Sequence, residues 1–196
     1  YCKKLAESDC DQCPLHEQRQ SIVTYRGNSS SKILLIGEAP GEEEDKTGKP
    51  FVGPAGKLLD SHLRMCGVTG KDVVIVNAIK CRPPDNRKPT KKELSICTDY
   101  LWEQIRLLRP KWIVLLGSTA FDAVFRPKRQ VKITFFAGKF LDPIAFSKDV
   151  ENRLCGARVF VQFHPSYCLH NPNMVLPIIN NWRVFFQEVA KSVPRK

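Results

Sequence analysis

Two sets of side chains in this 196-residue chain have the types and spacing to do chemistry. The first is a group of cysteines. Cys10 and Cys13 form a C-x2-C pair, and Cys81 and Cys97 follow with fifteen residues between them. Thiolates on one short turn can chelate a single ion or cluster, with the later pair closing the shell. From spacing alone a zinc ion and an iron–sulfur cluster are equally good readings, and four unliganded buried thiols are a weaker third. The wide second pair sets the pattern apart from a zinc ribbon. Cys2, Cys66, Cys155 and Cys168 lack such pairing and read as small buried hydrophobes. The second set follows apolar runs: Gly37-Glu38-Ala39-Pro40-Gly41, then Asn77, then Gly117-Ser118, then His164-Pro165-Ser166. A lone His after a strand is more often structural than catalytic. Four such segments delivered to one edge of a sheet reverse that reading and predict a ligand site with catalytic capacity.

The elements that must position these groups are legible as apolar patterning. Lys32–Ile36, Val73–Val76, Trp112–Leu116 and Arg158–Phe163 are rich in Val, Ile, Leu and Phe with little alternation, as strands covered on both faces are. Between them lie helical patterns. Leu94, Cys97, Leu101, Ile105 and Leu108 share one face, and Val175, Ile178, Ile179, Trp182, Phe185, Phe186 and Val189 form a broad stripe. This alternation predicts an α/β fold of three layers, αβα, around a central, mainly parallel four-stranded sheet. The length suits a single domain over residues 1–196. The stretch Pro127–Asp149 has no clear pattern.

Charge points to a partner. Lys and Arg number 31 against 20 Asp and Glu, a formal net charge of +11. Lys80 to Lys92 holds six basic residues and one acid, Asp85, and Arg126 to Lys139 holds five basic residues and no acid. Both runs read as loops flanking structured segments, where phosphates are usually contacted, so nucleic acid is the favoured partner. No apolar run reaches the length of a membrane span, and the polar N-terminal segment lacks the apolar core of a signal peptide. An intracellular, cytoplasmic location is expected. In that compartment the cysteines argue for metal or redox use rather than disulfides.

The segment from Gly37 to Asp45, followed by Lys46-Thr47-Gly48-Lys49-Pro50-Phe51-Val52-Gly53, resembles the first motif of the family 4 uracil-DNA glycosylases. The resemblance continues through Asn77-Ala78-Ile79-Lys80-Cys81-Arg82-Pro83-Pro84 with Asn86-Arg87, and through His164-Pro165-Ser166. It runs in order over nearly the whole chain. It implies a prokaryotic-type DNA repair enzyme, a monomer, which flips uracil out of DNA, hydrolyses its glycosidic bond and leaves an abasic site. It also implies a 4Fe–4S cluster on Cys10, Cys13, Cys81 and Cys97, deciding between cluster and zinc. Gly37, Glu38, Phe51, Asn77 and His164 would bind uracil, with Phe51 stacking on the base and Asn77 reading its edge. Glu38 and His164 would be catalytic, with Glu44 and Asp45 as reserve carboxylates. Arg82, Arg87, Ser166, Leu169 and His170 would contact DNA, Leu169 as an apolar wedge.

Two departures from the family pattern stand out. His170 is near the place where the family usually has Arg, and Phe135-Phe136 replaces more polar residues. The run Lys80–Lys92 lacks the reactive His of a branch that cross-links to its DNA, so turnover is expected. The competing readings are a non-catalytic iron–sulfur nucleic-acid-binding module of the same fold and a glycosylase for another damaged base.

Overall fold

Alternating residues of the apolar strands feed two separate cores. A computed structural model describes residues 1–129 and 131–192. The four predicted strands are present as β2 (Ile33–Gly37), β3 (Val74–Asn77), β4 (Trp112–Leu116) and β6 (Arg158–Gln162). They run parallel in the order β3-β2-β4-β6. Leu34, Ile36, Val74, Val76, Ile113, Leu115, Val159 and Val161 pack on one face. There they meet α4 (Lys91–Leu108), α5 (Ser118–Phe125) and α6 (Lys148–Leu154). Leu35, Ile75, Val114, Leu116 and Phe160 pack on the other face against α3 (Pro54–Met65) and α8 (Val175–Lys191). Three layers result, and burial on both faces is why the strands show no polar alternation.

The sheet is larger than the four strands expected. Among the described residues it has six, with β1 (Arg26–Gly27) and β5 (Lys139–Leu141) added antiparallel at the two edges. Two and three residues are too few to show a period, which is why both strands are silent in the sequence. Otherwise the patternless stretch holds 3-10 turns and the start of α6.

Local signals fix the helix ends. Thr90 and Glu93 form a reciprocal capping box at the start of α4, and Pro54 opens α3. The acidic run begins α2 (Glu42–Thr47), where the dipole favours carboxylates. No helix among the described residues is long and apolar enough to cross a membrane.

The parallel order places all four strand ends at one edge. Connections leave β2 for β3 on one side and arrive at β4 on the other, so the topological switch lies between β2 and β4. Ligands of open α/β sheets bind there.

Candidate active site

A hollow of about 630 Å³ opens at that edge. Glu38, Phe51, Asn77 and His164 all line it, although they come from four separate segments of the chain. Each is held by a local cause. Asn77 ends β3 and pairs with Gly37 at the end of β2. A methyl group on Gly37 would lie 2.4 Å from the Phe51 ring and 2.5 Å from Asn77 Oδ1, so only glycine leaves room for ring and amide together over this face of the strand end. Gly37 does not line the hollow; it makes room for two residues that do.

Phe51 has a left-handed backbone, with φ of 57°. That conformation is costly for an aromatic residue and persists only where its surroundings over-determine it. Two features do so. A Cβ on Gly56 would fall 1.8 Å from the Phe51 carbonyl oxygen, so the next helix can pass beneath only as glycine. Glu44 accepts backbone N–H bonds from Val52 and Gly53, both at 2.8 Å, and from Gly41 at 3.1 Å. Its carboxylate ties the loop after β2 to the turn that carries Phe51. Asp45 accepts from the N–H groups of Gln20 and Ser21 and is buried. The sequence expectation that these two carboxylates stand in reserve for catalysis is therefore corrected: both are consumed by backbone donors. Glu44→Gln, which leaves one oxygen for three N–H groups, is expected to cost about 1–3 kcal/mol of stability. Urea unfolding of the two proteins checks it.

Asn77 Oδ1 is buried without a partner among the described residues. Buried orphan acceptors are rare, and one that lines a hollow awaits a ligand donor. His164 sits across from Phe51, with ring centroids 5.6 Å apart. Its Nδ1 lies 2.8 Å from Ser166 Oγ and 3.3 Å from the Ser166 backbone nitrogen. A backbone N–H only donates, so this pattern assigns the Nδ1 lone pair to it and the proton to Nε2. Burial lowers the His164 pKa, and the Glu38 carboxylate opposes that shift only in part. The neutral, Nε2–H form is the one this site holds.

Glu38 accepts a short hydrogen bond from Thr119 at the start of α5. The pair bridges the switch between β2 and β4. Thr119 carried no sequence signal, because a Thr near a helix start reads as ordinary capping chemistry.

The predicted DNA contacts are unequal. Ser166, Leu169 and His170, on α7 (Ser166–His170), line the mouth. Leu169 is 48% exposed, so it is not a core residue. Arg87 also lines the mouth, but its guanidinium is bound bidentate by Glu93 at 2.7 and 2.9 Å. That ion pair pulls Glu93 down to about 2. Arg82 is outside the lining and donates to Asn86 Oδ1 at 2.9 Å. Phe136 stacks on Phe121 in the core while Phe135 is exposed, so half of that aromatic departure is packing.

Cys10, Cys13, Cys81 and Cys97 belong to one packed group with Leu5, Leu15, Ile22 and Ile79. Among the described residues no three metal-binding side chains converge on a single-ion position. In a four-iron cluster each thiolate takes its own iron, so its ligands surround a cube and do not meet at a point. The sulfurs already have donors: the Lys80 N–H points to Cys97 Sγ at 3.3 Å and Arg19 to Cys81 Sγ at 3.7 Å. Lys80, counted above among the basic residues of a loop, is instead fully buried beside them. Its ammonium donates to the Asn77 carbonyl and to Gln104 Oε1, with no carboxylate in ion-pairing reach among the described residues. A buried ammonium with only neutral partners calls for an anion nearby. A tetrathiolate cluster of net charge −2 fits that need and this donor set. Of the four unpaired cysteines, Cys168 is buried as expected, Cys2 and Cys66 are half-buried, and Cys155 is exposed at a left-handed helix end.

At the switch point of the α/β sheet the hollow thus gathers an aromatic ring, an amide oxygen unpartnered among the described residues and a neutral imidazole. Residues 24–189 match the family model described as the uracil DNA glycosylase superfamily. The type-4 uracil-DNA glycosylase of Thermotoga maritima is 44% identical over 93% of this chain and 87% of its own. That of Saccharolobus solfataricus is 40% identical over 95% and 83%, and that of Pyrobaculum aerophilum 38% over 87% and 85%. The chain belongs to the uracil DNA glycosylase superfamily, in its type-4 group.

Proposed function

We propose that this protein, acting as one domain and as a monomer, removes uracil from DNA, with Asn77 reading the base and His164 stabilising it as it leaves. The chain is a hydrolytic DNA repair glycosylase by family. The single observation that carries the residue roles is the buried, unpartnered Asn77 oxygen held against Phe51 by Gly37.

The roles follow from the chemistry of the base. A stacked base is out of reach, so uracil must leave the duplex, at a cost of a few kcal/mol. Leu169 and His170 at the mouth suit the gap left behind, with Ser166, Arg82 and Arg87 near the phosphates. Arg87 acts there by shape and partial charge, since Glu93 shares its guanidinium. Phe51 stacks on the extruded ring, which is worth about 1–3 kcal/mol and does not identify the base. The Asn77 amide donates to O4 and accepts from N3–H. Glu38 and its loop close the C5 side against a methyl group.

As the glycosidic bond breaks, negative charge gathers on uracil O2 and positive charge on the sugar. The Nε2–H of His164 donates to O2 in the manner of an oxyanion donor. Glu38, fixed by Thr119, faces the cationic sugar and orients water. Cys10, Cys13, Cys81 and Cys97 would hold a 4Fe–4S cluster that fastens the N-terminal segment to the body and balances Lys80. Its chemistry there is structural, and no reaction step depends on it.

Incubation with a uracil-containing oligonucleotide, then alkali, tests the whole reading. Scission at uracil is expected. Tight binding with no abasic product would replace the enzyme by a binding module.

His164 also sets a pH dependence of folding. Its folded pKa lies below the ordinary value of 6.5 because of burial, and His62, buried with neither ring nitrogen partnered among the described residues, is lowered for the same reason. The unfolded chain therefore binds protons first. Stability is full above 6.5 and falls as the pH drops below that value. Urea midpoints measured at neutral and mildly acidic pH check this, and a flat profile would contradict it.

A further inference from the structure

The two basic runs, separated by more than thirty residues in the sequence, meet in space. Lys91 from the first run and Arg126, Lys128 and Arg129 from the second line one cleft of about 460 Å³ between the start of α4 and the end of α5. Ser95 and Thr98 add hydroxyls, and Asp122 is the one acid of the lining. Burial raises the pKa of Asp122, against the pull of Lys88 and Lys91. None of the four cations has a carboxylate within ion-pairing distance among the described residues. Lys91 and Lys92 also occupy the first turn of α4, where the helix dipole disfavours cations. Unpaired charge, gathered from two distant segments around one cleft, marks a surface made for an anion.

We infer that this cleft is a second DNA-backbone site, holding phosphates of the strand that flanks the uracil. The inference rests on the glycosylase reading and adds a subsite to it. Position favours DNA over an acidic protein. The first turn of α5 carries Thr119, hydrogen-bonded to Glu38 of the hollow, and the helix ends beside the cleft at Arg126. Its eight residues span about 12 Å. At about 3.4 Å of axis per nucleotide, that separation is three to four nucleotides from the flipped base. The loop from Arg87 through Lys88 to Lys91 joins the two openings with further positive charge.

The test uses the full chain and a triple variant, Arg126→Gln, Lys128→Gln and Arg129→Gln. All three positions are exposed, so folding should be unaffected, and the melting temperature verifies that. Binding of a non-cleavable uracil-analogue duplex is measured against salt. Each lost phosphate contact lowers the log–log slope by about 0.9, so the variant should lose about 2 to 3 in slope. Its KM for uracil-DNA should rise with kcat unchanged. Lys91→Gln alone should lose about one contact. With a short oligonucleotide carrying about two nucleotides on each side of uracil, wild type and variant should bind alike, because such a strand ends before the cleft by the same spacing. An unchanged slope on long DNA, or an equal loss on short and long DNA, would overturn the subsite while leaving the glycosylase intact. Failure of the wild type to release uracil would instead overturn the function itself.

Discussion

Replacing His164 with Ala is expected to lower kcat for uracil release by about 10²–10³-fold while changing the KM for DNA far less. The imidazole is held by Ser166 through Nδ1 and has Nε2–H left for the base. That donor matters most when charge develops on O2, so its loss falls on the transition state and not on ground-state binding. Its environment amplifies the effect, because a preformed donor in a water-poor hollow needs no reorganisation during reaction. The same burial that lowers its pKa keeps it neutral, so activity should persist below pH 6.5 instead of following an ordinary His titration. Glu38 ranks second for a structural reason. Its carboxylate is already engaged by Thr119, so Glu38→Gln is expected to cost less than His164→Ala. Single-turnover rates for the two variants decide the order. Near-normal cleavage by His164→Ala together with a dead Glu38→Gln would invert it.

Why some of this could be read from residues alone, and some could not, follows from where the information resides. Strands buried on both faces announce themselves as apolar runs, and four of them were legible, with Trp112–Leu116 matching the observed strand end for end. The edge strands Arg26–Gly27 and Lys139–Leu141 owe their state to the neighbours they pair with, and nothing in two or three residues specifies that. The site divides in the same way. Glu38, Asn77 and His164 follow strand ends, so the sheet itself delivers them. Glu44 looked like one acid among several, yet it is the one whose oxygens meet three N–H groups. Lys80 looked like one more cation for phosphate, and only its burial beside Cys81 and Cys97 separates it from Lys88 and Lys91. Long-range partners decide such roles, and charge counting along the chain has no access to them.

Asn77→Asp is expected to lower kcat/KM for uracil by about 10²-fold and to weaken discrimination against cytosine by more than that. The backbone at this position is fixed independently of the side chain. Asn77 pairs with Gly37 in the parallel ladder, and its carbonyl accepts from the buried Lys80 ammonium. A change of one side-chain atom therefore alters recognition without moving the strand. Uracil offers an acceptor at O4 and a donor at N3. Asn answers both, whereas an Asp carboxylate answers only the donor and sets its second oxygen against O4. Losing one bond and facing two buried acceptors together costs about 1–3 kcal/mol, with each 1.36 kcal/mol a factor of ten. Cytosine presents an N4 amino donor to the same atom, the contact that acidic side chains make when they read that base. The N4 half of its penalty against Asn therefore becomes a bond with Asp, while cytosine N3 still faces an acceptor. Asn77→Ala should lose uracil without gaining cytosine, which separates altered recognition from a damaged pocket. Cleavage of paired oligonucleotides differing only in uracil or cytosine reads both variants, and an Asn77→Asp protein that kept its full preference for uracil would remove Asn77 from the role of base reader.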